Sequence, residues 1–414
     1  MNKYDAIVIG AGHNGLTNAA YLAKAGLKVA VLERNPHIGG ATVSRELYEG
    51  WHYSNCSYVS SLLRPEITRD LELPRHGLQV VPFGGGATFM QNGDHFGSYS
   101  DYGRKYREIA RHSKRDANAY ERYKADTSRQ TRLILPFLLK TPPDPTSLRP
   151  RDLKDLIDFA KPFVNMGEEG LLDTIKFWTT SVGDYLGEYF ETDVIKAQHA
   201  GSGIIGTALG VYSPGTAYVL LHHYMGDVDG NVGAWGFARG GMGAIANALS
   251  KSLQSFGGDI ICDANVDRII VKGGRAKGVA LKNGDEYHAD IVVSNLDPKR
   301  TLLDITDQRD LPKDVVQKAK NFKIRGSSGK LNIALDGLPT FTGLDPKNPL
   351  MAGDLHFSDS LERMERAYDD WKGGTWSKDP YVDMMIPSLT DPTMAPPGKH
   401  MMSVFVQYAP PKVE

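Results

Sequence analysis

The sequence predicts an α/β protein with an α+β second domain, and three features carry that prediction. An apolar strand runs straight into a glycine-rich turn and an alanine-rich helix, a charged helix-patterned stretch fills the middle, and short strands after residue 258 read as a return to the first sheet. At about 150 residues per domain, 414 residues leave room for two or three domains with a sizeable core.

Tyr4 to Ile9 is an apolar run ended by glycine, the pattern of a strand buried on both faces. Gly10-Ala11-Gly12-His13-Asn14-Gly15 follows at once, and Leu16, Ala19, Ala20, Leu22 and Ala23 then recur at helical spacing up to Gly26, placed to end that helix. Leu27 to Leu32 is a second buried strand. In such a βαβ unit Gly10, Gly12 and Gly15 supply a tight turn, close backbone approach to a pyrophosphate, and helix packing, while the helix N-terminus attracts phosphate. Glu33 ends the second strand, 18 residues after Gly15, where a carboxylate accepts hydrogen bonds from ribose hydroxyls and disfavours a 2′-phosphate. The unit reads as a Rossmann-like dinucleotide site; the bland alternative is a glycine-rich turn packing a helix on a sheet.

Arg34-Asn35-Pro36-His37-Ile38-Gly39-Gly40-Ala41 decides between dinucleotides. A second glycine pair just after the ribose acid resembles the FAD site of the flavoprotein class that includes amine oxidases and phytoene desaturases, whereas NAD enzymes usually enter a helix there. FAD is therefore expected, with a plain turn as the other reading of Gly39-Gly40.

Farther along, Leu78 to Val81, Ala87 to Met90 and His95 to Tyr99 read as short strands, expected to form a sheet over the flavin. From Arg104 to Lys140 the sequence reads as charged and helical, with a basic run of Arg104, Lys105, Arg107, Arg111, Lys114, Arg115 and Arg122. A solvated helix face explains that run; peripheral contact with an anionic membrane near Leu133 to Leu139 is the next reading, and nucleic acid a poor third. Thr141 to Thr146 is a proline-rich connector, and helices are predicted over Leu153 to Phe163, Gly170 to Trp178 and Val182 to Phe190, a cap for substrate. His222 and His223 are adjacent and poorly placed to share a metal. Gly240-Gly241-Met242-Gly243 opens a helix to Phe256, and strands at Asp259 to Cys262, Val266 to Val271, Ala276 to Leu281 and Ala289 to Ser294 return the chain to the first domain.

The net charge of -1 gives no chain-wide field for nucleic acid or membrane. Cys56 and Cys262 form no C-x-x-C pair, so dithiol chemistry and thiolate zinc are unsupported and a reducing, cytoplasmic compartment fits. No basic and apolar leader precedes Ala6, and Leu133 to Leu139 is far short of a membrane span. The cap holds no H-E-x-x-H or G-x-S-x-G, so metalloenzyme and hydrolase classes find no support and no metal is expected.

The chain resembles phytoene-desaturase-like FAD flavoproteins along most of its length. The carriers are Val8 to Gly15, Glu33-Arg34-Asn35, Ile38 to Ala41, Leu62-Leu63-Arg64-Pro65, Ser213 to Tyr218, and Trp235-Gly236 with Arg239 to Gly243. The resemblance implies an FAD-binding domain of the glutathione-reductase and amine-oxidase type, built from residues 1–77 and 238–300. A substrate domain of mixed sheet and helical cap would take 78–237 and 301–414. It implies FAD held by Gly10, Ala11, Gly12, Asn14, Gly15, Glu33, Arg34, Gly39, Gly40 and Ala41, with Val266 against the adenine unless it is an ordinary strand residue. His52, Tyr53 and Arg239 are candidates for the flavin-facing pocket, and no catalytic base is named. The implied activity is hydride transfer from an apolar organic substrate to flavin N5, by desaturation or isomerisation, with an electron acceptor and oligomeric state that the sequence leaves open. The rivals are a catalytically silent binding or membrane-associated module and a nicotinamide-linked dehydrogenase.

Two departures from the family pattern matter. Tyr53 to Ser57 replaces the aspartate-x-glycine-proline stretch of carotenoid desaturases, which argues against a carotene. The chain also stops at Pro410-Pro411-Lys412-Val413-Glu414 without the family's closing glycine-rich strand and helix. A truncated product with weakened flavin affinity is expected on that ground.

Overall fold

The computed structural model describes residues 3–412; Met1, Asn2, Val413 and Glu414 lie outside the described residues. β1 (Lys3–Ile9) and β2 (Val29–Leu32) pair in parallel, Ala6 opposite Val29 and Ile9 opposite Leu32, with α1 (His13–Lys24) as the crossover. Strand Asp259–Ile261 joins in parallel beyond β2, and Glu286–Ser294 joins in parallel beyond β1. Arg275–Leu281 and Val266–Lys272 then extend the sheet antiparallel, making six strands from two distant stretches of chain.

Both faces of this sheet are apolar because its strands alternate two greasy sets rather than one greasy and one polar. Ala6, Val8, Val29 and Val31 face α1 and the helix Gly243–Ser255, packing with Leu16, Ala20, Ile245 and Leu249. Ile7, Ile9, Ala30 and Leu32 face the other way, onto Val279, Leu281 and Ile305.

A second six-stranded sheet runs in the order Ser328–Leu335, His400–Gln407, Tyr381–Met385, Asp354–His356, Gly86–Phe89, His95–Ser98. Its one parallel pair is Asp354–His356 with Gly86–Phe89. The strands expected to cover the flavin part company here. Val80–Phe83 forms a separate ribbon with Trp235–Ala238, while the next two are the edge of the second sheet. The helical cap packs on one face of that sheet around Tyr123, Leu186, Ile195, Ile204 and Leu220.

The charged, helical stretch expected from Arg104 to Lys140 forms two helices, Tyr102–His112 and Lys114–Ile134. Ser113 breaks it with extended backbone and caps the second helix by accepting the Asp116 N–H. Buried Asp116 in turn accepts the N–H groups of Glu191 and Thr192, so a local capping signal is fixed by a distant loop. The helix predicted from Val182 to Phe190 ends at Gly187, and the last strand of the first sheet starts at Glu286 rather than Ala289. The basic run is partly neutralised: Arg111 pairs with Asp94 and Glu108, Arg115 with Glu191, and Arg122 with Asp126. No described helix is long and apolar enough to cross a membrane.

Candidate functional site

The parallel strands of the first sheet all end at one edge, and the turn between β1 and α1 opens there. Gly10 takes φ +95°, which favours glycine, and the backbone then enters α1 at Gly12. No side chain caps α1 and no acidic residue stands in its first turn, so its leading N–H groups are free for an anion. A Cβ on Gly15 would lie 2.2 Å from the Gly10 carbonyl oxygen, and one on Gly12 would lie 2.9 Å from Asn295 Nδ2. The glycines thus set how closely α1 approaches β1 and keep the floor of the turn open.

Glu33 is buried at the end of β2. One carboxylate oxygen accepts the Ala11 N–H at 2.8 Å; the other accepts the Asn35 N–H at 2.9 Å and its side-chain amide at 2.8 Å. The carboxylate therefore locks the first turn onto the second strand, with only its remaining lone-pair capacity left for a ribose. The Ala11 amide is committed to Glu33, so Ala11 acts by holding that acid. Gly39 has φ +115° and donates its N–H to the Ala11 carbonyl, pinning the second glycine pair beneath the first. Gly40, at φ +55°, brings its chain against Gly12, where a Cβ would stand 3.2 Å from the Gly12 Cα.

Around these turns lies a cleft of about 690 Å³ bordered by Gly10, Gly12, Glu33, Arg34, Gly40 and Val266. It shares His13, Asn14 and Ala41 with a second compartment of about 560 Å³ that runs past Thr17, Ser57 and Met242. Together they make one long groove. Of the predicted residues, Ala11, Gly15 and Gly39 stand behind its wall; the others border it. Asn295 was missed: it follows the returning strand, donates its N–H to the Ile9 carbonyl, and packs against Gly10, Gly12 and Gly15. The position of that strand beside β1 would have named it, because open α/β sheets bind ligands where the strand order switches.

His52, Tyr53 and Arg239 are not gathered at the groove. Tyr53 is buried with Met394, Ala395 and Met401, His52 pairs across a two-stranded ribbon with Glu46, and Arg239 reaches outward to Gln79. The segment from Ser54 to Ser60 instead forms a wall with two sides. Ser57, Val59 and Ser60 border the groove, while Lys330 on the second sheet donates to the Cys56 carbonyl at 2.8 Å and lies 4.6 Å above the Tyr58 ring. The Tyr58 hydroxyl donates to Asp383 at 2.6 Å, and Asp383 Oδ1 is buried with no hydrogen-bond partner among the described residues, 4.0 Å from His356 Nδ1. His356 Nδ1 and the Tyr381 hydroxyl are 2.9 Å apart.

Burial lowers the Lys330 ammonium to about 8, against a smaller opposing pull from Cys56 and Asp383. Burial and then the charge of Asp383 push the Asp354 carboxyl well above the usual range, and burial lowers His356. Sequence reasoning missed this cluster because its members come from four segments. Each alone reads as a polar residue on an alternating strand.

Residues 8–69 match the NAD(P)-binding Rossmann-like domain, and residues 178–411, more than half the chain, match the flavin containing amine oxidoreductases. The chain is 36% identical to the mouse pyridine nucleotide-disulfide oxidoreductase domain-containing protein 2, over 99% of its own length and 74% of that protein's. The chain belongs to the flavin-containing amine oxidoreductase family. Within it, the mouse protein marks its branch, and prolycopene isomerase 2 of an Oncidium hybrid is a more distant relative, 26% identical over 97% of this chain and 64% of that one. An oxidoreductase structure from Methanosarcina mazei shares the fold at TM-score 0.61 and 19% identity, covering 99% of this chain and 79% of the other.

As a member of this family the protein is an FAD-dependent oxidoreductase. The groove fits that cofactor: it has two compartments that meet beside the N-terminus of α1, where a Cβ on Gly12 would stand 2.9 Å from Asn295 Nδ2. Gly10, Gly12, Asn14, Gly40 and Ala41 border the groove beside that helix N-terminus, and Glu33, Arg34 and Val266 border the same compartment. The family relatives' name includes disulfide chemistry, but Cys56 and Cys262 are both free thiols here.

Proposed function

We propose that this oxidoreductase acts on an organic molecule with an extended apolar body and one hydrogen-bonding group, held between the cap and the wall Ser54 to Ser60. When bound, FAD would supply the redox chemistry as the acceptor of a hydride from the substrate. The observation that carries the reading is the polar cluster of Tyr58, Lys330, Asp354, His356 and Asp383 standing directly behind the wall of the cofactor groove.

The chain's own residues divide the remaining work. The aromatic cap core around Tyr120, Tyr123, Phe190 and Tyr224 excludes water and offers apolar contact. Lys330, which changes charge near pH 8, holds or releases a proton beside the wall, and Tyr58 fixes Asp383 so that one carboxylate oxygen stays available. The prolycopene isomerase relationship supports double-bond chemistry over hydrolysis, and loss of a hydride to flavin makes that chemistry a desaturation. The polar floor supports a functionalised substrate over a bare hydrocarbon.

The test begins with the visible spectrum of the purified chain. Stoichiometric FAD, followed by anaerobic bleaching with functionalised polyenes and enones but not with hydrocarbon polyenes, is the expected result. A protein that stays colourless after incubation with FAD, or a flavin bleached only by hydrocarbons, overturns the reading.

A further inference from the structure

The cap carries an apolar surface that its own fold leaves uncovered. Helix Pro150–Val164 buries none of its 15 residues. Leu148 is 86% exposed, Val164 73%, Ile157 60% and Leu139 54%, and among the described residues seven of the 23 exposed large apolar side chains fall between Leu138 and Val164. Such a concentration marks an interaction site rather than scattered surface residues.

We propose that the loop and helix from Leu138 to Val164 dock in the interfacial layer of a phospholipid bilayer. Leu153, Ile157, Ala160 and Val164 recur at spacings of four, three and four, so they form one stripe along the helix. At about 100° per residue, Lys154 and Lys161 border that stripe while Asp155 and Asp158 lie farther round. Lysines in that position extend along an apolar surface and place their ammonium groups at headgroup level. The helix is about 22 Å long, too short to span the hydrocarbon core, so it lies in the membrane plane.

Charge complementarity selects the occupant. Lys140 follows Leu139, Arg149 follows Leu148, and Lys154 follows Leu153, and none of these three cations has an ion pair among the described residues. The nearby acids are occupied: Asp144 accepts from Thr146, Asp152 from Ser147, and Asp158 from Lys161. Each unpaired cation thus stands beside an exposed leucine, where a lipid phosphate meets it as the leucine enters the acyl boundary. Six of the seven exposed side chains are aliphatic and one is Phe159. Protein interfaces concentrate their energy in Trp, Tyr and Arg and make little use of Leu and Val. The segment is also braced from within, by Phe159 and Phe163 on Phe137 and by Phe163 on Trp178, so docking needs no refolding.

This surface differs in place from the basic run at Arg104 to Arg122, and its test does not depend on flavin chemistry. The full chain is floated with vesicles of phosphatidylcholine alone and with a third phosphatidylglycerol. The parent is expected to float with both, more with the anionic mixture. The triple variant Leu148→Ser, Ile157→Ser, Val164→Ser is expected to lose about tenfold or more of that binding at an unchanged melting temperature. Charge reversal at Lys140, Arg149 and Lys154 is expected to remove the gain from phosphatidylglycerol. A parent that floats with neither vesicle, or a triple variant that floats like the parent, overturns the proposal. So does a dimer, seen by light scattering, that the triple variant dissolves while vesicles bind nothing, because the face would then belong to a second copy.

Discussion

The two six-stranded sheets of this molecule bury opposite kinds of surface. In the first, Ala6, Ile7, Val8, Val29, Ala30 and Val31 are wholly buried and both faces are apolar. In the second, Ala87, Phe89, Leu355, Met384 and Val404 make one apolar face, but the face toward the cap carries Thr88, His356, Asp383, Ser403 and Gln407, all buried. The first sheet is a rigid frame whose chemistry resides in backbone at its edge. The second brings its chemistry in as side chains, at the cost of burying polar groups. Damage to the first should therefore act through shape, and damage to the second through charge.

The largest expected effect is Gly15→Val. Its Cβ would fall 2.2 Å from the Gly10 carbonyl oxygen, so α1 must move away from β1 and the turn that leads into α1 must deform. Overpacking of roughly 3 kcal/mol corresponds to about a hundredfold weaker FAD binding. Titration of the FAD-stripped protein by flavin fluorescence measures it. Gly26→Ala is the control: φ is +90° but nothing lies within 4 Å, so some stability is lost while FAD affinity stays near that of the parent. Equal losses of affinity in the two variants would break the distinction between a shaped edge and an ordinary turn.

Lys330→Met should act in the opposite manner. FAD affinity is expected to hold, because Lys330 reaches the far side of the wall, through the carbonyls of Ser54 and Cys56. What should change is the pH dependence of flavin reduction by a bleaching substrate. In the parent, the rate is expected to rise with pH through about 8 as the ammonium loses its proton; in the variant that step disappears and the limiting rate falls roughly a hundredfold. A variant that keeps the step would remove Lys330 from the proton chemistry and leave it a packing residue.

The same contrast explains what the sequence made legible. The first sheet and the groove could be read because a buried parallel strand, a glycine turn and a terminal acid are contiguous signals, and Gly10 to Glu33 contains all of them. Asn295 escaped only because naming it needs the strand order. The polar cluster could not be read in this way. Lys330, Asp354 and Asp383 sit on strands whose alternation looks like that of a sheet with one face in water, and only the cap, packed by Gln198 on Thr88 and by Gly201 against Tyr381, turns that face inward. The break at Ser113 and the exposed stripe from Leu153 to Val164 have the same origin, since both depend on what a distant segment does or does not cover.

The smallest effect, Asp354→Asn, tests whether the second sheet really stores an electrostatic cost. The Asp354 side chain makes no hydrogen bond among the described residues, and burial, followed by the charge of Asp383, raises its carboxyl well above the usual range. An unfolded aspartate titrates near about 3.9. Between that value and the higher folded one the native state holds the extra proton, so stability falls as pH rises across that window. Asparagine removes the titration. The variant should therefore match the parent below about pH 4 and exceed it at pH 7, by a few degrees in melting temperature. Asp383→Asn should do the reverse at pH 7, since the Tyr58 hydroxyl at 2.6 Å would lose a carboxylate acceptor. If Asp354→Asn were the less stable chain at pH 7, Asp354 would have to be ionised and paired in the native protein. The inward face would then be a satisfied polar core like any other, with no capacity reserved for a substrate.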